Sequence, residues 1–311
     1  MILSIGEILV DIFKEGEKET VFPGGAPFNL AANIASFKGD VSFYGVVGLD
    51  EYGSFLKEYA QKNISSLLIE TKVDRETTQA IVSLDNGERS FKFKRDNGSD
   101  YLLDIEKLKQ LDLKNASIIH IGSLLLSYQE GRDFFNEAIK YIHSHTKALI
   151  SFDVNYRSDI FKDEKEAKEI FIKALKAADI VKFTEDELEL LSNQKDVLNG
   201  LKTLLNDHQI AVVTLGKDGS IFYSNKKCIK VPSYPLKPID TTGAGDAFYS
   251  YLLYRYDLGF DINDEQQIID VLKRANVTGA LATQKKGAIG VVPSIKDIEE
   301  FIKIRYNNDL I

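Results

Sequence analysis

The stretch ALISFDVNYRSDIFKDEKEAKEIFIKALKAADIVKF, residues 148–183, decides the fold. Ala148–Phe152 and Ile180–Phe183 are short apolar runs of the length of a buried strand. Between them, Glu164–Ala177 has the pattern of an amphipathic helix, with the charged run KDEKEAKE at 162–169 as its wet side. A strand, a helix and a second buried strand make a parallel βαβ unit.

The same rhythm extends in both directions. Further candidate strands are Ile2–Ile5, Val41–Val47, Ile118–Ile121 and Ala211–Leu215, and further helical patterns are Phe28–Phe37, Tyr52–Lys62 and Gly131–His143. The expected class is α/β, a three-layer sandwich with a mostly parallel central sheet covered by helices on both faces. Residues 12–22 and 71–95 break the rhythm with two-residue alternation and a turn signal at Asp85-Asn86-Gly87. A sheet covered on both faces has no room for them, so they are expected to form a small β lid. No linker or repeat divides the chain, and 1–311 reads as one domain with that lid.

Composition narrows the function. A formal net charge of −8 disfavours non-specific nucleic-acid binding, but a local cradle of amides can still hold phosphates. The single cysteine, Cys228, excludes an intramolecular disulfide and suits a reducing cytoplasm. Four scattered histidines do not suggest a metal cluster. No run is apolar enough to cross a membrane, and the opening MILSIGEILVDIF, interrupted by Glu7 and Asp11, reads as a buried strand rather than a signal peptide. The expectation is a cytoplasmic protein with small-molecule partners.

Ligands of open α/β sheets bind beyond the carboxyl ends of the strands. The chemistry is concentrated in Asp240-Thr-Thr-Gly-Ala-Gly-Asp-Ala-Phe248, which follows a loop marked by Pro232, Pro235 and Pro238 and precedes the helical run AFYSYLLYRY. Gly243, Ala244 and Gly245 therefore stand at a helix start, where free N–H groups and the helix dipole attract phosphate. An acid at Asp246 would be misplaced in a plain phosphate cradle. It suits phosphoryl transfer, in which a carboxylate takes the acceptor hydroxyl's proton while the amides stabilise the moving group. The helix start is expected to keep Asp246 ionised. The loop alone also reads as a helix cap at Thr241-Thr242-Gly243. A dinucleotide fingerprint is disfavoured by Phe248 and by the lack of a buried strand leading in, and no P-loop motif exists.

DTTGAGDAF at 240–248, with the stretch from Gly24-Gly-Ala-Pro-Phe-Asn29 through Gly45-Val-Val-Gly-Leu-Asp-Glu-Tyr-Gly53, resembles the two signatures of the ribokinase-like (PfkB) carbohydrate kinases. The likeness spans essentially the whole chain. It implies that Gly243, Ala244 and Gly245 form an anion hole, that Asp246 is the base, and that Asp11, Gly24, Gly25 and Asn29 contact the sugar. By itself Asn29 reads as a helix cap.

Within the family, GEILVD at 6–11 and GGAPFN at 24–29 look like fructokinases and 2-keto-3-deoxygluconate kinases. Phe91-Lys-Phe-Lys-Arg95 and Asp153-Val-Asn-Tyr-Arg157 resemble segments that would bring Arg95, Asn155 and Arg157 to the sugar; alone, both arginines read as surface ion pairs. On the nucleotide side the resemblance implies Lys182, Thr214, Gly216, Gly219 and Asn276 as ATP contacts. The stretch Thr214–Gly219 also reads as a hairpin turn, and the small residues of 275–282 as close helix packing. Lys182-Phe-Thr-Glu185 departs from the common Asn-x-x-Glu, with Glu185 kept as a water-mediated organiser of Mg²⁺ carried by ATP, and K⁺ as a further candidate ion.

The implied reaction is ATP-dependent phosphorylation of a sugar primary hydroxyl, D-fructose first, with 2-keto-3-deoxygluconate as the rival acceptor and a riboside less favoured. A non-catalytic sugar-binding regulator is the reading from another class; the intact Asp246 counts against it. The exposed lid edges imply a homodimer joined through the lids.

Overall fold

Strands apolar at every position belong between two helical layers, because each face then needs its own cover. In the computed structural model, which describes residues 1–16, 18–85, 88–161, 163–234, 236–289 and 292–308, the strands meet that requirement. The strands are β1 (Ile2–Ile5), β2 (Leu9–Glu15), β3 (Lys18–Gly24), β4 (Val41–Gly48), β5 (Ser66–Lys72), β6 (Gln79–Asp85), β7 (Glu88–Lys94), β8 (Ile118–Ile121), β9 (Leu149–Asp153), β10 (Ile180–Thr184), β11 (Ile210–Thr214), β12 (Ser220–Ser224) and β13 (Lys227–Val231). The helices are α1 (Ala26–Ser36), α2 (Glu51–Asn63), α3 (Ile105–Leu108), α4 (Gln129–His145), α5 (Glu164–Ala177), α6 (Glu185–Ser192), α7 (Val197–Leu204), α8 (Ala244–Asp257), α9 (Glu265–Ala282) and α10 (Ile295–Asn308).

The large sheet has nine strands in the order β13-β12-β11-β10-β9-β8-β1-β4-β5. It is parallel from β5 to β11 and ends in the antiparallel hairpin β12–β13. Successive strand residues alternate between its two faces. Leu3, Ile5, Ile119 and Ile121 pack with Phe134 of α4, Phe171 of α5 and Leu188 of α6. Ile2, Ile118 and Val212 pack on the other face with Phe28 of α1, Leu56 of α2 and Phe248 of α8. The chain leaves β1 toward β4 on one side, and β8 pairs with β1 on the other. The strand order reverses there, and the carboxyl ends of β1 and β8 open a crevice.

The alternating segments form a separate four-stranded sheet, β3-β2-β6-β7. Its limits differ from those expected. It also takes residues 9–11 and 23–24, whereas Thr71 and Lys72 end β5, the edge strand of the large sheet. Polar alternation alone does not tell a lid strand from the solvated edge of the main sheet. Of the expected turn at 85–87, Asn86 and Gly87 lie outside the described residues. No described helix is long and apolar enough to cross a membrane.

Asp50 joins the two sheets. Its Oδ1 accepts from Gly53 N (2.7 Å), capping α2, and from Thr77 Oγ1 (2.7 Å), while Oδ2 accepts from Thr77 N (2.7 Å). Thr77 Oγ1 in turn accepts from Gly48 N at the end of β4 (3.1 Å). Arg95, just beyond β7, ties the same end of the small sheet to the body through Asp100 (Nη2–Oδ2 2.7 Å) and the carbonyl of Leu124 (3.0 Å). Removing Asp50 deprives a helix of its cap and leaves buried donors at the joint without an acceptor. Asp50→Ala is expected to lower stability by about 2 kcal/mol, read as a reduced denaturation midpoint at unchanged slope.

Candidate active site

Helix α8 starts as its sequence suggests, but by a different device from a threonine cap. Its N-cap is Gly243 in the left-handed region (φ 78°), and no side chain caps it. A Cβ on Gly243 would stand 2.5 Å from Ala288 O, so both the conformation and the space call for glycine. Thr242 Oγ1 is turned away and donates to Asp240 Oδ1 (2.8 Å). Asp240 Oδ2 accepts from Gly287 N (2.9 Å), which ties the loop to the segment after α9. Gly287 in turn lies against Phe22 of β3, where a Cβ would come within 2.8 Å of the ring. The first turn of α8 is thus left uncapped by side chains and held rigidly from behind.

Two cavities meet at this turn. The first, of about 460 Å³, lies beneath the small sheet, which contributes Leu9 and Asp11 from β2, Ala80 from β6 and Phe93 from β7. The second, of about 650 Å³, lies toward β11 and α9. Thr184, Thr241 and Gly245 line both. Asp246 faces the first.

Of the residues expected at the sugar, Asp11, Gly25, Asn29, Asn155 and Arg157 line the first cavity. Gly24 stands behind Asp11, and a Cβ there would reach 2.5 Å from Asp11 Oδ2. Asn29 donates from Nδ2 to Asp246 Oδ2 (2.7 Å), and its Oδ1 has no partner among the described residues. Arg95 is not brought to the cavity. It is buried, bonded to Asp100, and packed 5.3 and 5.2 Å from the rings of Tyr101 and Tyr128, because an isolated guanidinium so deep in the protein needs an acid beside it.

On the other side, Thr214, Gly216, Gly219, Asn276, Ala244 and Glu185 line the second cavity. Thr214–Gly219 is both the tight turn from β11 to β12 and a wall of this cavity, so the two readings of that stretch coincide. Asn276 spends its amide on the carbonyls of Val231 (3.2 Å) and Pro232 (3.3 Å), fastening α9 to β13.

Lys182 lines the first cavity rather than the second. Parallel pairing sets Lys182 opposite Asp153, and their side chains form a buried ion pair with Nζ 2.7 and 2.8 Å from the carboxylate oxygens. Burial opposes the charge on Lys182, but Asp153 and Glu187 outweigh it and raise its pKa above the ordinary lysine range. A Cβ on Gly245 would stand 3.3 Å from Lys182 Nζ, so a fixed cation underlies the uncapped turn.

Several participants escaped the sequence reading. Glu187 accepts from Thr184 N (2.7 Å) and Tyr156 N (2.8 Å), locking the 155–157 loop onto the start of α6. Its signal is the capping-box spacing Thr184–Glu187. Asp153 and Glu7 are acids within otherwise apolar strand runs, a pattern that marks a strand end at a site.

Electrostatically the first cavity is crowded with acids. Burial raises Asp246 above the usual carboxylate range and Asp153 adds to the rise, while the Asn29 hydrogen bond, Lys182 and Arg157 oppose it. The helix start does not by itself keep Asp246 at an ordinary value, as the sequence had suggested, because desolvation is the larger effect. Burial likewise pushes Asp11 up to about 7, with Asp246 and Asp240 adding to the rise and Arg157 opposing it. Among the described residues no group of three or more His, Cys, Asp or Glu side chains is arranged to hold a metal. The donor set suits Mg²⁺ that arrives on nucleotide phosphates, with exposed Glu185 at the cavity rim able to reach it through water.

Residues 2–295 match the model of the pfkB family carbohydrate kinases. A fructokinase of Vibrio alginolyticus is 33% identical over 303 residues, covering 96% of this chain and 97% of that protein. The crystal structure of a Vibrio cholerae O395 fructokinase with fructose, ADP and a calcium ion bound has a TM-score of 0.88 at 31% identity, covering 96% of this chain and 98% of that one. A Xylella fastidiosa fructokinase with bound ATP gives 0.90 at 28% identity, with 98% of each chain covered.

A carboxyl raised to about 7 in the folded chain binds its proton more tightly there than in the unfolded chain. Stability therefore falls as pH rises through the interval from about 4 to about 7. Asp11→Asn should remove part of that fall. Chemical denaturation at pH 4.5 and pH 8 is expected to show the variant gaining on wild type by about 1–3 kcal/mol over the interval.

Proposed function

This chain belongs to the pfkB family of carbohydrate kinases, and we propose that the hydroxyl it phosphorylates is the 6-hydroxyl of D-fructose, with Asp246 as the base. The chain is a sugar kinase, a phosphotransferase with an alcohol acceptor that uses ATP. The observation that carries the assignment of roles is the position of Asp246, on the first turn of α8 at the junction of two cavities.

In this reading the first cavity holds the sugar and the second the nucleotide. The uncapped turn at Gly243, Ala244 and Gly245 receives the transferring phosphoryl group, and its N–H groups stabilise the charge on that group. Asp246 takes the proton of the attacking hydroxyl, and the Asn29 amide holds one carboxyl oxygen so that the other faces the sugar. A raised pKa brings this base nearer its working pH, and Lys182 adds fixed positive charge beneath the turn. Mg²⁺ on the ATP phosphates supplies neutralising charge, with Glu185 reaching it through water. The small sheet acts as a lid that excludes water from the sugar.

The same geometry favours a neutral polyol over a keto acid. Arg95 is committed to Asp100 and Lys182 to Asp153, so Arg157 is the cation of the first cavity without an acidic partner among the described residues. A substrate carboxylate would also meet the base, Asp246, there. The relatives named above are fructokinases, which supports the same acceptor.

The open edges of the small sheet, β3 and β7, support a homodimer joined through the lids. Light scattering at micromolar concentration should give twice the chain mass; the monomer mass at that concentration would remove the dimer.

ADP release with Mg-ATP is to be measured on fructose, 2-keto-3-deoxygluconate, ribose and inosine. Turnover is expected on fructose in preference to the other three, with kcat for Asp246→Asn reduced about 10²- to 10⁴-fold. Preference for the keto acid would replace the acceptor and leave the mechanism standing. Activity that survives the substitution would remove Asp246 as the base.

A further inference from the structure

Asp153 and Lys182 form the last pair of the β9–β10 ladder, at the carboxyl end that opens toward the first cavity. They are 3% and 4% exposed, and Lys182 Nζ donates to both Asp153 oxygens at 2.8 and 2.7 Å. A buried ion pair contributes little stability that a well-packed apolar pair would not, because both charges leave water. Its presence in this sheet therefore calls for a reason other than stability.

The surroundings of the ammonium supply one. A Cβ on Gly245 would stand 3.3 Å from both Cε and Nζ of Lys182, so a glycine there lets the first turn of α8 settle against the charge. Two of the three N–H groups at most serve Asp153, and the third has no acceptor among the described residues. On the β11 flank its partner in the ladder is the apolar Val212. Asp153 of β9, Glu187 of α6 and Asp246 of α8 favour the charged amine, and burial opposes it. Behind the pair, burial lowers His120 of β8 to about 4 and raises the Tyr249 phenol of α8, so both are neutral. Arg157, from the loop after β9, acts on Asp246. Of the acids, Asp153 has the largest effect on Lys182.

We propose that Asp153 is a positioning residue of phosphoryl transfer, holding the Lys182 ammonium against the first turn of α8, an assignment that rests on reading that turn as the phosphoryl site. Asp153 lines neither cavity and works through the lysine. Without it, Lys182 would tend to shed its proton, since burial is the largest influence on it and favours the neutral amine. The same carboxylate raises the proton affinity of Asp246, more than Lys182 lowers it. One side chain thus acts on both limbs of the pH window, keeping the cation charged and lifting the base.

The test follows kcat against pH for wild type, Asp153→Asn and Asp153→Glu on the sugar turned over best, at saturating Mg-ATP. Asp153→Asn is expected to be slower than wild type by a factor that grows with pH, roughly tenfold larger at about pH 9 than at about pH 6. Its acid limb should move to lower pH, because Asp246 has lost a neighbour that raised it. Asp153→Glu, which keeps the charge, should hold the alkaline limb where wild type has it. Lys182→Met should lower kcat about 10- to 10²-fold with little change in KM for the sugar.

An Asp153→Asn deficit equal at every pH, or no deficit, would overturn the proposal. Should that variant fail to fold, Asp153→Leu combined with Lys182→Met replaces the pair by apolar side chains and removes the unpaired charge. A folded double variant with wild-type kcat overturns the proposal equally, and one as slow as Lys182→Met alone supports it. If fructose is not the sugar turned over best, or Asp246→Asn stays active, those readings fall by themselves. The pH series on the accepted sugar then still decides the role of Asp153.

Discussion

The hydrogen bond from Asn29 Nδ2 to Asp246 Oδ2 spans 217 residues of sequence and joins the first helix to the eighth. It requires α1 and α8 to lie side by side on one face of the large sheet, and Phe28, Leu30, Phe248 and Tyr251 provide the shared apolar packing that holds them there. With α1 fixed, Gly25 at its start must pass close to the backbone of Glu7, which its positive φ of 106° and missing side chain allow. With α8 fixed, its first turn opens where the two cavities meet. One polar contact thus sets which helix ends face each other, and the apolar layer beneath makes that choice rigid.

The site is an economy of charge in a dry place. Its acids outnumber its free cations, and Asp246 raises the proton affinity of both Glu7 and Asp11. Lys182 is bonded to an acid of its own, and Arg95 behind the cavity is likewise held by Asp100, which makes both fixed features rather than mobile contacts. What remains along the cavity is a set of carboxyls, with the exposed Arg157 at the mouth.

The central layer could be read from sequence because strands such as Ile118–Ile121 and Ile180–Phe183 are apolar throughout, and a run buried on both faces has few alternatives. The uncapped turn could be read because small residues beside an acid have a chemical reason to be there. The limits of the small sheet were less legible, since β5 is partly solvated along its length and shares the alternating pattern of lid strands. The burial of Arg95 was illegible for a related reason. An arginine in a polar segment gives no sign that Asp100, five residues on, will fold back upon it. Glu7 was visible only as an interruption in an apolar run, and the room for its carboxyl depends on Gly122, which lies far along the chain.

Gly287 touches both halves of the machine: its N–H holds Asp240 behind the phosphate turn, and its bare Cα meets Phe22 of the small sheet. A ligand that draws the small sheet inward therefore loads the same segment that shapes the turn. With the two cavities assigned as proposed, that segment is where the two binding events would meet. Any free energy that one ligand spent on settling the turn would then return in equal measure to the other, because such coupling is reciprocal by thermodynamic necessity.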